Sequence, residues 1–377
     1  MTVLIQEKFI QGMLTLIQEL FDLMIFYLVR QSSAYTIVNY LESWGIETTT
    51  SYIRPLFYEQ LWQMKKLPIG TYIFSDIERL NPEEAEMTAK IWEQLANSGK
   101  GIRLLNHPTR SKRRYELLRT LYLKGQNQFN VYRLTEYRQP EKFPVFIRGE
   151  NDHRGNRTSL INTPAELDQA IHQLSETGQS LENKIITEFC STADKEGVFR
   201  KYSSFILGDK IIPRHLFFNY KWMIKSPKLV EEDNLLEEEK YVKTNPHESL
   251  IKDIFRLAKI EYGRIDYSLI DGVPQVWEIN TNPMSLGIKD MTNELQKKRT
   301  ATHKHFAHNF ALGFEEINDE RPSSVKISFS YGTNQYRDSY AVKLAKILPL
   351  FLLKLLPFPY QLTARLKVRT WLKNLKR

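Results

Sequence analysis

Residues 261–287 read EYGRIDYSLIDGVPQVWEINTNPMSLG. Arg264 to Ile270 is apolar and rich in β-formers, Asp271-Gly272 is a tight-turn signal, and Val273 to Ile279 is a second strand-like run. The segment is therefore predicted to be a β-hairpin. Side chains alternate along a strand, so Glu278 and Asn280 share one face while Trp277 and Ile279 take the other. Asp266 stands on the partner strand about as far from the turn as Glu278, which places it opposite that pair. Two carboxylates and an amide carbonyl on a rigid sheet suit a hard cation such as Mg2+, which keeps waters and takes its remaining ligands from a nucleotide's phosphates. A polar face that merely meets solvent is the other reading of so short a pattern.

The segments upstream bear on that choice. KFPVFIRGE at 142–150 is strand-like and ends in Arg148, and the polar, Gly-containing NDHRGNRTS follows, whose backbone amides could bind an anion. In TPAELDQAIHQL, Thr163 is an N-cap, Pro164 fits the first helical position, and Leu167, Ile171 and Leu174 recur at helical spacing. NKIITEFCST is a strand, and GVFRKYSSFILGDKIIPRHLFF is a strand pair that turns at Gly208-Asp209, with Lys201 and Arg214 projecting from its two arms. A basic residue of this kind, or Lys225 in NYKWMIKSP, is ordinarily a solvated charge. A set of them on consecutive strands leading to the hairpin favours a site.

The run GRIDYSLIDGVPQVWEINTNP resembles the metal-binding hairpin of the ATP-grasp superfamily, and the strand-loop-helix of residues 142–174 resembles that family's lid. The resemblance covers about residues 100–290. It implies an α/β (α+β) ATP-grasp fold with an open α/β pre-ATP-grasp domain in front, helical termini, and ATP with Mg2+, or Mn2+ in its place, as cofactors. It further implies Asp266, Glu278 and Asn280 as metal ligands, Arg264 and Asn282 beside the reacting phosphoryl group or the substrate, and Arg148 and Lys201 on the phosphates, with Arg214 in the same basic set. Backbone groups around Glu188, Phe189 and Cys190 would meet the adenine edge and Asp194 the ribose. Many relatives carry an acid where Lys201 aligns. The implied reaction is activation of a small-molecule carboxylate as an acylphosphate, which an amine or other nucleophile displaces. A kinase acting on a hydroxyl and a non-catalytic nucleotide-binding adaptor are the alternatives.

Ahead of this region, LLNHPTRSKRRYELLRTLYLKG is expected to break at Pro108 and then form a helix with Leu117, Leu118, Leu121 and Tyr122 on one face, closed by Gly125. His107 and His153 lack a partner at motif spacing and are expected to stand outside the chemistry, while Ser285 and the residues near His107 are candidate substrate contacts. Alternating helix and strand patterns from residue 33 onward predict a small open α/β sheet. The acidic run VEEDNLLEEEK at 230–240 is expected to be a solvated insertion.

A chain of 377 residues exceeds one ordinary core, so several domains are expected. The partition is an amphipathic N-terminal helix at 1–32, the front domain at 33–140, the lid at 141–188, the metal and phosphate subdomain at 189–315, and a basic amphipathic tail at 316–377. A single cysteine, Cys190, excludes an internal disulfide and points to a cytoplasmic setting. Residues 1–30 are apolar but interrupted by Gln18, Glu19 and Asp22, which fits neither a spanning helix nor a signal peptide. Residues 341–377 hold nine Lys or Arg and no acid, leaving 44 basic against 44 acidic residues elsewhere, so the net charge of +9 sits in this tail. Leu344, Ile347, Leu348, Phe351, Leu352, Leu355 and Leu356 follow helical spacing around Pro349, and Trp371 and Leu372 lie among Arg369 and Lys373. Such a tail suits the anionic inner surface of a membrane, with packing on the body or in a homo-oligomer as the other reading; a nucleic-acid partner is disfavoured by its Leu and Phe content.

Overall fold

The computed structural model describes residues 24–45, 52–98, 101–136, 139–151, 155–290, 292–318 and 327–328. In chain order the elements are β1 (Ile25–Val29), α1 (Tyr35–Ser43), β2 (Ile53–Phe57), α2 (Tyr58–Leu61), β3 (Lys66–Leu67), β4 (Thr71–Phe74), α3 (Pro82–Asn97), β5 (Arg103–Leu105), α4 (Arg114–Leu123), β6 (Val131–Arg133), β7 (Val145–Gly149), α5 (Pro164–Glu176), β8 (Lys184–Glu188), β9 (Phe199–Leu207), β10 (Lys210–Asn219), α6 (Glu232–Thr244), α7 (Glu248–Ala258), β11 (Tyr262–Ile270), β12 (Val273–Asn280), α8 (Glu294–Lys298), α9 (Thr300–Asn318) and β13 (Ile327–Ser328). β13 pairs with β3.

The front sheet runs β2-β1-β4-β5, all parallel. Its strand β1 corrects the reading of residues 1–32 as one amphipathic helix. Ile25, Tyr27 and Val29 pack toward α1 and α9, while Met24, Phe26 and Leu28 pack toward α3 and Leu61. A central parallel strand is buried on both faces and so reads as an unbroken apolar run, which periodicity alone cannot separate from a buried helix. The remaining N-terminal residues through 23 and the tail of 330–377 lie outside the described residues, and with them the expected helical termini and membrane-surface segment. Among the described residues no helix is long and apolar enough to cross a membrane.

The lid is a three-stranded antiparallel sheet, β6-β8-β7, under α5. Because β6 joins it, the lid sheet begins ahead of residue 141. Thr163 caps α5 by accepting the Glu166 N–H at 3.2 Å, and Leu167 and Leu174 close a small core with Val145, Ile147 and Ile186. The third sheet, β10-β9-β11-β12, is antiparallel and packs α4, α6 and α7 on one face and α9 on the other. The acidic run at 230–240 is solvated at Glu231, Glu232 and Asp233, as expected, but it is no insertion. It begins α6, in which Glu238 is buried and receives two hydrogen bonds from Arg299 at 2.9 and 2.5 Å.

Candidate functional site

The hairpin forms as the sequence predicts, with Asp271 and Gly272 both at positive φ (48° and 77°), as a type I′ turn requires. Counting back from that turn, Tyr267 faces Val276, and a regular ladder would set Asp266 against Trp277. A β-bulge intervenes, making Trp277 the extra residue of β12 and bringing Asp266 opposite Glu278, with Arg264 opposite Asn280. The surplus Trp277 stacks on Phe129 with ring centroids 5.1 Å apart and donates to Ser268 Oγ at 3.0 Å.

Four cations surround the two carboxylates. Arg264 grips Asp266 through Nε and Nη2 at 2.9 and 3.3 Å, and Lys201 Nζ lies 3.5 Å from the same carboxylate. Arg148 and Arg114 both reach Glu278 Oε2, at 2.7 and 2.5 Å. Burial alone would raise the Asp266 pKa, but Arg264 and Lys201 outweigh it and hold the carboxyl below its ordinary value. Ser203 Oγ also donates to Asp266 Oδ1 at 2.7 Å, so it must accept from His215 Nε2 at 2.8 Å, which fixes that imidazole's tautomer. Burial and then the nearby Arg214 keep His215 far below its ordinary pKa, hence neutral.

Arg148, Phe189, Cys190, Lys201, Arg264, Asp266, Glu278 and Asn280 all line one cavity of about 370 Å³ between the lid and the third sheet. One end of it is aromatic: the Trp222 ring lies 4.9 Å from that of Phe146 and 5.5 Å from that of Phe189. The other end is the ring of cations. Lys225 enters from the loop after β10, and Gly155 from the loop after β7 sits so close that a Cβ there would meet Lys225 Nζ at 2.8 Å. Burial pushes the Cys190 thiol up, so it stands in the wall as a small apolar group.

Three residues expected in the site, Asp194, Arg214 and Asn282, lie elsewhere, and Glu188 was expected there only through its backbone. The Glu188 carboxylate turns into the lid, where it accepts from Asn130 N–H, Tyr132 OH and Lys142 N–H at 2.8 to 3.1 Å. Asp194 closes the turn before β9 by accepting from Glu196 and Val198 N–H and pairs with Arg200. Arg214 is buried over the Phe306 ring, with Nε donated to Ser285 O, and burial beside Arg299 pushes its pKa down to about 9. Asn282 is a clamp: its Oδ1 accepts from Tyr27 OH and Thr36 Oγ1 at 2.9 and 2.6 Å, and its Nδ2 donates to Ser33 O at 3.3 Å. It joins the end of β12 to the front sheet. His107 lies away from this cavity, and His153 is outside the described residues.

Arg114, Ser203, His215 and Trp222 were missed. The basic run RSKRR ahead of α4 was the one available sign of Arg114, whose contact with Glu278 spans 164 residues.

Among the described residues no three His, Cys, Asp or Glu gather at metal-binding geometry; Asp266 and Glu278 face each other, and the Asn280 amide oxygen on the same strand as Glu278 accepts the Asn282 N–H at 2.8 Å. Hard oxygen donors on a hairpin suit Mg2+ with water and phosphate as further ligands. Arg114, Arg148, Lys201 and Arg264 outnumber the carboxylates and leave positive charge for an anionic ligand to neutralise.

No family model matches the chain, and no curated protein does. Among solved structures, the chain is similar to D-alanine–D-alanine ligase from Bacillus anthracis (14% identity, TM-score 0.44), with 78% of this chain and 98% of that one covered. It is also similar to the D-cycloserine synthetase DcsG (17% identity, TM-score 0.41, 78% and 99% covered) and to a RimK domain ATP-grasp protein from Sphaerobacter thermophilus DSM 20745 (12% identity, TM-score 0.40, 76% and 99% covered). At these identities and TM-scores the likeness carries no argument about this chain, and the chemistry of the site rests on its own residues.

Proposed function

We propose that the protein is a Mg-ATP-dependent ligase that activates a small-molecule carboxylate for attack by an amine or other nucleophile. The observation that carries this reading is the facing pair Asp266 and Glu278, ringed by Arg114, Arg148, Lys201 and Arg264 at the foot of a cavity whose far end is aromatic. The aromatic end around Phe146, Phe189 and Trp222 has the flat apolar surface a purine needs. Asp266, Glu278 and Asn280 would hold the metal, which when bound neutralises charge on the transferring phosphoryl group.

Arg148 and Lys201 would bind phosphate oxygens, with Lys225 and the loop at Gly155 closing over them. Arg264 would stand at the reacting phosphoryl group. The substrate carboxylate would form a bond to the γ-phosphorus while the bond to the ADP oxygen breaks; the acylphosphate carbonyl would then take the nucleophile and release phosphate. In this scheme positioning and electrostatics supply most of the rate.

Calorimetric titration of ATP with and without magnesium tests the first half. Magnesium-dependent binding should weaken by more than about 100-fold in Glu278→Ala, since outer-sphere changes alone cost 10 to 100-fold. Unchanged binding in that variant would sink the metal assignment. Trapping the activated acid with hydroxylamine tests the second half, because a hydroxyl-phosphorylating kinase yields no hydroxamate.

A further inference from the structure

Away from the hairpin, a second cavity of about 510 Å³ opens among α3, β5, α7 and the turn between β9 and β10. That volume falls in the range of small-molecule sites. Trp92, Leu104, Phe255 and Ile260 give it apolar walls, and Arg110, Lys252, Arg256 and Lys259 stand on it against the acids Asp209 and Glu261. Both acids are engaged: Asp209 lies 3.8 Å from Lys252, and Glu261 accepts the Asn106 N–H at 2.7 Å.

Two residues that line this cavity each carry a buried N–H without an acceptor. His107 is only 7% exposed, and its Nδ1 accepts the N–H groups of Thr109 and Arg110, both at 3.3 Å. An accepting Nδ1 leaves the proton on Nε2. That Nε2 is buried and makes no hydrogen bond; Glu93 Oε1 stands 3.9 Å away and is taken by Arg110 at 3.0 Å. The Trp92 ring lies 4.6 Å from the imidazole, and its Nε1 is also buried and unpaired. Buried donors are ordinarily met, so two unmet ones beside one cationic cavity mark where acceptor oxygens belong.

We propose that this cavity is a second ligand site, for a small organic oxyanion, a carboxylate or phosphate ester with a flat apolar body. Its oxygens take the Nε2–H of His107 and the Nε1–H of Trp92 under the field of Lys252 and Lys259, and its body lies on Trp92 and Phe255. The site shares no lining residue with the hairpin cavity and stands independently of the ligase reading.

Phenyl phosphate, benzoate and inorganic phosphate titrated into the full chain, with the indole N–H resonances followed by NMR and that of Trp92 assigned through Trp92→Phe, test this. The Trp92 resonance should move saturably with phenyl phosphate or benzoate, whichever moves it identifying the oxyanion, and affinity should fall about tenfold in both His107→Phe and Lys259→Gln. The surface variant Lys259→Gln keeps the test open if His107→Phe does not fold. Binding should persist in Glu278→Ala. No saturable shift with any of the three probes, or affinity unchanged in the variants, would overturn the site; inorganic phosphate binding as tightly as phenyl phosphate would overturn the role of the apolar wall.

Discussion

Asp266 is ionised in a place where burial opposes it, and its neighbours explain why. Arg264 and Lys201 supply the field, and Ser203, backed by His215, fixes one oxygen in place. Ser203→Ala should therefore keep the fold but weaken magnesium affinity about tenfold, measurable by titrating the metal at saturating ATP. Asp76 shows the opposite balance. Burial first and then the charge of Glu78 push its carboxyl from 3.8 up to about 6. A raised carboxyl favours the folded state at low pH and loses that advantage as pH climbs through the folded value. Stability should fall between those two pH values by about 3 kcal/mol, at 1.36 kcal/mol per unit, and Asp76→Asn should flatten that slope in denaturant melts taken across the window. Asp266 and Glu278 were legible in the sequence as a facing pair because they share one hairpin. Ser203, His215 and Arg114 were not, because each comes from a segment whose approach to the hairpin only packing decides.

Among the elements, the hairpin and α5 could be read directly: turn chemistry, alternation, an N-cap and an N-terminal proline all agree locally with the final structure. Strand β1 could not, since burial on both faces erases the alternation that marks a strand, and α6 was obscured because one of its acids, Glu238, is answered by Arg299 from far along the chain. The lid depends on few apolar contacts. Leu167, fully buried there, sits in a cluster of seven buried residues. Leu167→Ala should cost about 2 to 5 kcal/mol. Hydrogen exchange should then rise in β7 and β8 ahead of β9 to β12, and uniform loosening of both sheets would contradict a separate lid core.

At the scale of the whole molecule, the front sheet and the hairpin are tied through Asn282, Thr281 and Glu78. Glu78 accepts from Thr281 Oγ1 and, at 3.3 Å, from its N–H, and Thr281 Oγ1 accepts the Ile77 N–H at 3.2 Å. Asn282→Ala removes the acceptor that the buried Tyr27 hydroxyl holds at 2.9 Å, a loss of about 1 to 3 kcal/mol, while Thr36 Oγ1 keeps Ser33 O at 3.0 Å. A melting temperature lowered by several degrees should be its first effect; full stability with lost activity would instead return Asn282 to the chemistry. The resemblance implied a place for Asn282 beside the reacting phosphoryl group or the substrate, and only the fold shows that the side chain faces the front domain.

The bulge at Trp277 leaves the hairpin with arms of unequal length, β12 carrying one residue more than β11 between the turn and the facing carboxylates. Extra chain spliced into the turn at Asp271-Gly272 leaves the ladder in register. One residue spliced into either arm turns a carboxylate to the far side of the sheet. A reporter tag or a grafted loop is therefore accommodated at the tip of this hairpin, while the eight residues of β12 set a ruler that admits no single-step change.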